Sequence, residues 1–186
     1  MRTDRLIFTS WEAVSANELF EIYGDPEVTR LLGDGAFDAS IDESENRRVG
    51  YAQQMHNLTA TQTGQGFGIW PVRLASNNQL VGTMMLKPLP DGDGLLTNDI
   101  EVGWHLRRSS WGQGLATEAG QLLIQRAFDH GIETVYAVMY KENTASQKVA
   151  RRLGMTHVGS TAAYYGTRVE LFKIDATTSN NEKRTS

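Results

Sequence analysis

The most informative part of the sequence spans residues 101–119 and reads Glu101-Val102-Gly103-Trp104-His105-Leu106-Arg107-Arg108-Ser109-Ser110-Trp111-Gly112-Gln113-Gly114-Leu115-Ala116-Thr117-Glu118-Ala119. Its first part predicts a strand, and the apolar spacing that begins at Leu115 predicts a helix. The glycines between them let the backbone approach a ligand, and the unpaired N–H groups of the first helical turn attract phosphate. The loop has no Walker A Gly-Lys-Ser/Thr, and Thr117 replaces the third glycine of a dinucleotide fingerprint. A tight strand–helix turn without a ligand is the alternative.

Strand and helix signals extend outward from this stretch in both directions. Alternating or apolar runs predict strands at 5–8, 67–72, 80–86, 99–106, 134–139, 156–159 and 169–174. Helical spacing predicts helices at 15–23, 43–55, 115–128 and 143–153. Strands followed by alternating helices and strands indicate an α/β fold, with a mixed sheet covered by helices on both faces.

Length and composition limit the classes of protein that this chain can represent. The 186 residues predict a single domain, which we place at 1–174, followed by a polar and flexible tail at 175–186. The absence of cysteine excludes a disulfide framework, a thiolate zinc site and a cysteine nucleophile. No apolar run reaches the ~18 residues of a membrane span, and no secretory signal begins the chain, so we expect a cytoplasmic protein with no membrane partner. A net charge of −4 argues against nucleic acid as a partner.

Several ordered motifs resemble those of the GNAT acetyltransferase superfamily. The loop at 111–116 resembles its acetyl-coenzyme A (acetyl-CoA) loop, in the form found in ribosomal-protein N-terminal (alanine) acetyltransferases. Further resemblances are Thr3-Asp4-Arg5-Leu6, Asp25-Pro26-Glu27-Val28, Leu80-Val81-Gly82-Thr83, Asn143-Thr144-Ala145-Ser146 and Leu153-Gly154-Met155. The resemblance covers most of the chain and implies a single-domain GNAT-like fold, with a mostly antiparallel sheet of about seven strands.

The resemblance also implies an acetyl-CoA site between the fourth and fifth strands, which would part to admit the cosubstrate. The backbone N–H groups that would hold its pyrophosphate belong to Trp111, Gly112, Gln113, Gly114, Leu115 and Ala116. The strand amide that would polarise the thioester carbonyl belongs to Val102, Gly103 or Trp104. Gln113 stands where a lysine is common, so we select Arg107 or Arg108 as the phosphate contact, with a solvated surface arginine as the alternative. Asn143 and Ser146 would line the pantetheine arm. The resemblance implies no metal.

Acetyl transfer to an amine needs a base, because an amine attacks only in its neutral form. Glu101 shares a strand face with Gly103 and His105, and we select it as the base, with a structural carboxylate as the alternative. His105 lies about 13 Å further along the strand and is expected to pack. By resemblance, Ser146 is the candidate acid for the departing thiolate, with Tyr165 as the alternative. A second alternative gives Asn143 and Ser146 only helix-capping roles.

The acceptor is less defined than the donor. Acidic residues without a base lie at Asp34, Asp38, Asp42, Glu43 and Glu45, where the resemblance implies the acceptor pocket. They would attract a small cationic amine or a protein or peptide N-terminus, or they form an ordinary solvated loop. The leading hypothesis is therefore an N-acetyltransferase that moves acetyl directly from acetyl-CoA to a primary amine. The rival hypotheses are a non-catalytic acyl-CoA binding or sensing module and a nucleotide-binding switch. A homodimer is left open.

Overall fold

A seven-stranded sheet forms the centre of the computed structural model, which describes residues 1–32 and 66–176. The strands are β1 (Leu6–Phe8), β2 (Gly68–Leu74), β3 (Leu80–Pro90), β4 (Leu96–Leu106), β5 (Thr134–Met139), β6 (Thr156–Thr161) and β7 (Val169–Asp175). The helices within these residues are α1 (Ala16–Tyr23), α2 (Pro26–Thr29), α3 (Leu115–Asp129) and α4 (Thr144–Arg152). The strands lie in the order β1-β2-β3-β4-β5-β7-β6, and only the β4–β5 pair is parallel. The predicted fold class is confirmed.

The element boundaries follow the sequence signals, with differences at turns. β3 and β4 both run further toward their shared hairpin than their apolar runs predict, because the ladder continues to the pair Pro90–Leu96. α1 ends before Asp25, as the Asp25-Pro26 signal predicts, but Pro26 then begins α2. The Asp25 carboxylate caps this short helix by accepting from the Glu27 N–H at 2.9 Å, and proline is favoured at a first helical position.

Helices cover both faces of the sheet and bury two apolar clusters. The larger cluster lies between the sheet and the pair α3 and α4, and it includes Leu123, Ala150 and Phe172. The smaller cluster lies under α1 and α2 on the opposite face, where Ile22 and Met85 are buried. The cost of leaving these side chains in water, roughly 1.5–3 kcal/mol for each large one, drives the helices onto the sheet.

The alternation of β4 assigns its side chains to these two faces. Ile100, Val102 and Leu106 belong to the larger cluster under α3. Glu101, Gly103 and His105 therefore point to the face that α1 and α2 cover, as the period-two pattern predicts. This face carries the charged side chains discussed below.

Some predictions concern residues that the structure does not describe. The predicted helix at 43–55 and the acidic residues Asp34, Asp38, Asp42, Glu43 and Glu45 lie outside the described ranges, as do residues 177–186 of the predicted tail. Asp175, predicted to begin the tail, instead ends β7, because it continues the ladder opposite Thr134; its carboxylate also accepts from the Thr134 hydroxyl and pairs with Lys173. Among the described residues, no helix combines the length and apolar character needed to cross a bilayer.

Candidate active site

The parting of β4 and β5 creates a cleft in the middle of the sheet. The two strands pair only at Ile100–Val135 and Glu101–Tyr136, and they diverge beyond these positions. β4 stays hydrogen-bonded to β3 on its other side, and β5 stays bonded to β7. The β4 edge from Val102 to Leu106 therefore faces the cleft, with its backbone amides unpaired by β5. The splayed strand pair that the resemblance implies is present.

The loop after β4 leads directly into the N-terminus of α3. Gly112 (φ +74°) and Gly114 (φ +77°) both adopt the left-handed backbone conformation that disfavours side chains. Gly114 is the N-cap residue of α3 and has no side chain to cap the first turn, so the N–H groups at 115–117 remain open to a ligand. Arg5 holds the loop from behind, since its Nη1 donates to the Gln113 carbonyl at 2.9 Å. The geometry is that of an anion-binding helix terminus.

A first cavity, which we call the loop cavity, has a volume of about 370 Å³ and begins at this helix terminus. Its lining residues from the loop and α3 are Trp111, Gly112, Gly114, Leu115, Ala116 and Thr117. The hydroxyl oxygen of Thr117 is buried and lacks a hydrogen-bond partner among the described residues. Lys148 and Arg152 supply positive charge to the wall, where Arg30 pairs with Glu27 at 3.1 Å and Glu142 also lies. The open amides, the unsatisfied hydroxyl and the Lys148 and Arg152 side chains together fit the phosphates of coenzyme A.

A second cavity of about 430 Å³, which we call the strand cavity, lies toward the β3–β4 hairpin. Lys87, Glu101 and Tyr165 line it among mostly apolar neighbours such as Met85. Gly103 also lines this cavity, and a Cβ there would approach Met85 Cγ to 2.7 Å, so glycine makes room for Met85 beside the cleft. The two cavities share a wall, to which the following residues contribute: Leu31, Leu32, Trp104, His105, Asn143 and Ser146. Molecules in the two cavities would therefore meet at the cleft.

Glu101 is the buried acid of the strand cavity, with only 5% of its surface exposed. Tyr165 Oη donates to Glu101 Oε2 at 2.5 Å, and Lys87 Nζ donates to Tyr165 Oη at 2.5 Å. Lys87 Nζ also lies 3.1 Å from the same carboxylate oxygen. Burial, then the charge of Glu101 and its hydrogen bond, raise the pKa of the Tyr165 phenol, so Tyr165 remains a proton donor at neutral pH.

Ser146 lies on the wall between the cavities, at the start of α4. Its backbone N–H donates to Asn143 Oδ1 at 3.0 Å, so Asn143 caps the helix. Its hydroxyl oxygen accepts a hydrogen bond of 3.2 Å from the Trp104 indole N–H. Because the indole can only donate, the Ser146 hydroxyl uses a lone pair in this contact, and its own proton can be directed elsewhere. The capping role is therefore present, and it leaves the hydroxyl available for chemistry.

His105 lies on the same face of β4 as Glu101, toward the end of the strand. Its Nδ1 lies 3.3 Å from Tyr23 Oη, and the two rings meet edge to face. Tyr23 Oη also lies 2.7 Å from the Thr83 hydroxyl. Burial, and then the charge of Lys87, lower the pKa of His105 to about 4. A neutral imidazole held by Tyr23 agrees with the packing role that the sequence predicts.

The structure brings most of the selected residues to the two cavities but leaves three away from them. Arg107, Arg108 and Gln113 line neither cavity. The guanidinium of Arg107 instead pairs with Glu21 on α1, and the side chain of Gln113 donates to the Ser109 carbonyl at 2.8 Å. In the loop cavity, Lys148 and Arg152 carry the positive charge that was expected from an arginine at the end of β4.

Sequence reasoning missed these cations and Lys87. Lys148 and Arg152 lie four residues apart on α4, which places them on one helix face, and this spacing was a usable signal. Lys87 is the charged residue of the otherwise uncharged β3 segment, which was a second usable signal. Glu118, in the first turn of α3, accepts from the Arg5 backbone N–H at 2.9 Å and pairs with the Arg5 guanidinium. This contact between residues 113 positions apart had no local signal.

Comparisons with known proteins agree with this geometry. A family model described as an acetyltransferase (GNAT) domain matches residues 5–156. The chain is 27% identical over 173 residues to an uncharacterized N-acetyltransferase, p20, of Bacillus licheniformis, covering 92% of this chain and 90% of that protein. It is 31% identical over 140 residues to the FsC-acetyl coenzyme A-N(2)-transacetylase of Aspergillus fumigatus, covering 72% of this chain and 55% of that enzyme.

Solved structures share the fold at low identity. A GNAT-family acetyltransferase from Bacillus anthracis superimposes with a TM-score of 0.70 at 18% identity, covering 94% of this chain and 96% of that one. A ribosomal L7/L12 α-N-protein acetyltransferase in complex with coenzyme A superimposes with a TM-score of 0.68 at 17% identity, covering 93% and 95%. Because the family model matches most of the chain, the chain belongs to the GNAT acetyltransferases and is an acetyl-CoA-dependent N-acetyltransferase.

Proposed function

We propose that this enzyme transfers the acetyl group of acetyl-CoA directly to a primary amine, with Glu101 as the base and Ser146 as the acid. The observation that carries the proposal is the pair of cavities that meet at the cleft between β4 and β5. The loop cavity has the open amides and cations that suit the donor, and the strand cavity has a buried carboxylate that suits an amine.

Glu101 has the position that a base requires. It lines the strand cavity, where the acceptor would lie, and it is the last residue of β4 that pairs with β5 before the strands part. A protonated amine entering this cavity would meet the carboxylate, lose a proton to it and become able to attack. The mostly apolar surroundings strengthen this interaction by excluding water.

Ser146 and the β4 backbone act on the donor side of the cleft. Acetyl-CoA supplies an acetyl group activated as a thioester. A backbone N–H among Val102, Gly103 and Trp104, unpaired by β5, stabilises the negative charge that develops on the carbonyl oxygen. Ser146, oriented by Asn143 and by the Trp104 indole, donates the proton that the thiolate needs.

The two protons that the acceptor loses follow separate paths. The acceptor ammonium loses two protons when it becomes an amide. Glu101 takes one and releases it to solvent, and the other replaces the proton that Ser146 gives to the thiolate. The products are therefore the acetylated amine, coenzyme A as its thiol and one released proton.

The acceptor is a protein or peptide N-terminus or a small cationic amine. Two similar proteins favour an amine acceptor: the Aspergillus fumigatus relative is an N(2)-transacetylase, and the ribosomal L7/L12 enzyme is an α-N-protein acetyltransferase. The cytoplasmic location stays a prediction, and a homodimer stays open.

The test is thiol release from acetyl-CoA with a panel of amines that includes peptide N-termini and small diamines, read together with the mass gain of one acetyl group on the acceptor. Turnover with at least one amine is expected. Tight coenzyme binding without thiol release for every amine would instead favour the acyl-CoA sensing module.

A matched pair of variants tests the base. Glu101→Gln should lower kcat by about 100-fold or more, with the largest loss at low pH, where the amine is protonated. Asp99→Asn is the control, because Asp99 lies on the same strand and accepts from a tyrosine, Tyr164, at 2.7 Å, but lines neither cavity. An unchanged pH profile in Glu101→Gln would remove Glu101 from this role.

A further inference from the structure

The Lys87–Tyr165–Glu101 contacts form a compact charged cluster inside an apolar cavity. Glu101 is 5% exposed, and the side chain of Lys87 is 13% exposed. Both contacts to the carboxylate fall on Oε2, one from the Tyr165 hydroxyl and one from the Lys87 ammonium. Lys87 also lies over the Tyr165 ring, 5.0 Å from its centroid. Because burying two charges costs free energy, we expect the close pairing of Lys87 with Glu101 in this cavity to have a function.

The backbone around Tyr165 is built to hold this cluster. Tyr165 has a φ of +57°, a left-handed conformation that is strained for a residue other than glycine. Its N–H donates to the Pro90 carbonyl at 3.3 Å, and an isolated bridge joins Asp91 to Tyr164. The hairpin between β3 and β4 therefore clamps the segment before β7 and directs Tyr165 onto Glu101. Strained backbone of this kind clusters at functional sites.

We propose that Lys87 is a positioning residue that keeps Glu101 ionised and directs the Tyr165 hydroxyl onto Oε2, leaving Oε1 to take the proton of the acceptor. This inference rests on the proposed role of Glu101 as base. In the apolar cavity, an unpaired carboxylate would tend to be protonated and could not accept a proton. The ammonium of Lys87 opposes that tendency and thereby extends the working range of the enzyme to lower pH.

Other titratable groups near Glu101 do not duplicate this effect. Tyr165 approaches from the segment before β7, and Tyr136 is the register partner of Glu101 on β5. On β4 itself, Asp99 lies two residues before Glu101 and accepts from Tyr164, and His105 lies four residues after it. The low pKa of His105 keeps its ring uncharged at neutral pH. Lys87 is therefore the cation among these titratable residues around Glu101.

The test compares kcat/KM as a function of pH for the wild type, Lys87→Met and Lys87→Arg, with an acceptor amine that is neutral throughout the assayed range. Methionine keeps the length and the apolar stem of lysine but removes the charge. We expect the acidic limb of the Lys87→Met profile to move to higher pH by about 1–3 units, the size of effect that an adjacent opposite charge has on a carboxylate. Lys87→Arg should restore most of the wild-type profile.

A purely structural role for Lys87 would lower activity without moving the acidic limb, and that result would overturn the proposal. Asp99→Asn should leave the limb in place and serves as the control for a change of charge on β4. The failure of the proposed function is distinguishable, because it would appear as no thiol release by the wild type, or as an unchanged profile in Glu101→Gln.

A stability measurement keeps the proposal testable if Lys87→Met folds poorly or the wild type accepts none of the amines. Lys87→Met leaves a buried carboxylate without its cation, so its midpoint of thermal unfolding should fall at neutral pH and recover as the pH is lowered. The double variant Lys87→Met/Glu101→Gln should recover stability at neutral pH and lose that pH dependence. If single and double variants show the same pH dependence, Lys87 does not control the ionisation of Glu101.

Discussion

Gly114 offers a direct test of the phosphate site, because a matched glycine lies at the other end of the same helix. Gly114 precedes α3 with a φ of +77°, and Gly131 follows α3 with a φ of +81°. A Cβ at Gly114 would meet only Arg5 Nη2, at an ordinary 3.6 Å, and a Cβ at Gly131 would meet nothing within 4 Å. Alanine at either position is therefore strained by the backbone alone. Gly114 lines the loop cavity and Gly131 does not.

The expected magnitudes follow from this geometry. An alanine in the left-handed conformation costs about 1–2 kcal/mol, so Gly114→Ala and Gly131→Ala should lower the free energy of unfolding by similar amounts. At Gly114 the backbone can relieve the strain only by rotating the amides that face the cavity, and the new methyl group lies where the phosphates approach. Loss of one hydrogen bond to a charged group costs about 1.5–3 kcal/mol, which raises the Kd for coenzyme A by roughly 10- to 100-fold.

Isothermal titration of coenzyme A into both variants and the wild type measures this difference, and chemical unfolding measures the common cost in stability. Gly131→Ala should bind coenzyme A with the affinity of the wild type. If Gly114→Ala loses stability as expected but binds coenzyme A as tightly as Gly131→Ala, the N–H groups of the first turn of α3 do not hold the phosphates.

Three further predictions concern single side chains. Ser146→Ala should lower kcat by about 10- to 100-fold while the Kd for coenzyme A stays within a few-fold of the wild type, and a fall in both to the same degree would indicate a loss of binding rather than of an acid. The buried guanidinium of Arg73 holds the pKa of Glu18 at about 2, below its ordinary 4.5, so this pair stabilises the protein above pH 4.5 and ceases to do so as the pH falls toward 2. Glu18→Gln should therefore remove about 2 kcal/mol of stability at pH 7, after a discount for partial exposure, and almost none at pH 2; equal losses at both would exclude this ion pair as the cause. Glu118→Gln should release Arg5 from α3 and lower the midpoint of thermal unfolding by a few degrees, measured by circular dichroism, and an unchanged midpoint would show that the contact adds no stability.

The sequence predicted those parts of the site whose signal lies within a few consecutive residues. A glycine loop entering a helix indicates a phosphate site, because the conformation and the open amides arise within a few residues of chain. The alternation of β4 placed Glu101 on the face opposite Val102, and the asparagine at 143 predicted the cap of α4. Arg107 illustrates the limit of such reasoning. Its position at the end of β4 is compatible with either a phosphate contact or an ion pair, and Glu21, far away in the chain, lies beside it in the fold.

The amino-acid sequence alone predicted the seven strands, the helices α1, α3 and α4 and the family of the chain, but not the short helix α2. These predictions succeed because periodicity, caps and turns depend on neighbouring residues. The tertiary structure alone decided that Lys87, Glu101 and Tyr165 meet in one cavity, since that contact needs the β3–β4 register and the clamp of the hairpin on the segment before β7. It also decided that β4 and β5 part beyond Glu101, because β3 and β7 hold the two strands from opposite sides. Contacts of this kind join residues far apart in the chain, and their geometry depends on the packing of the whole sheet.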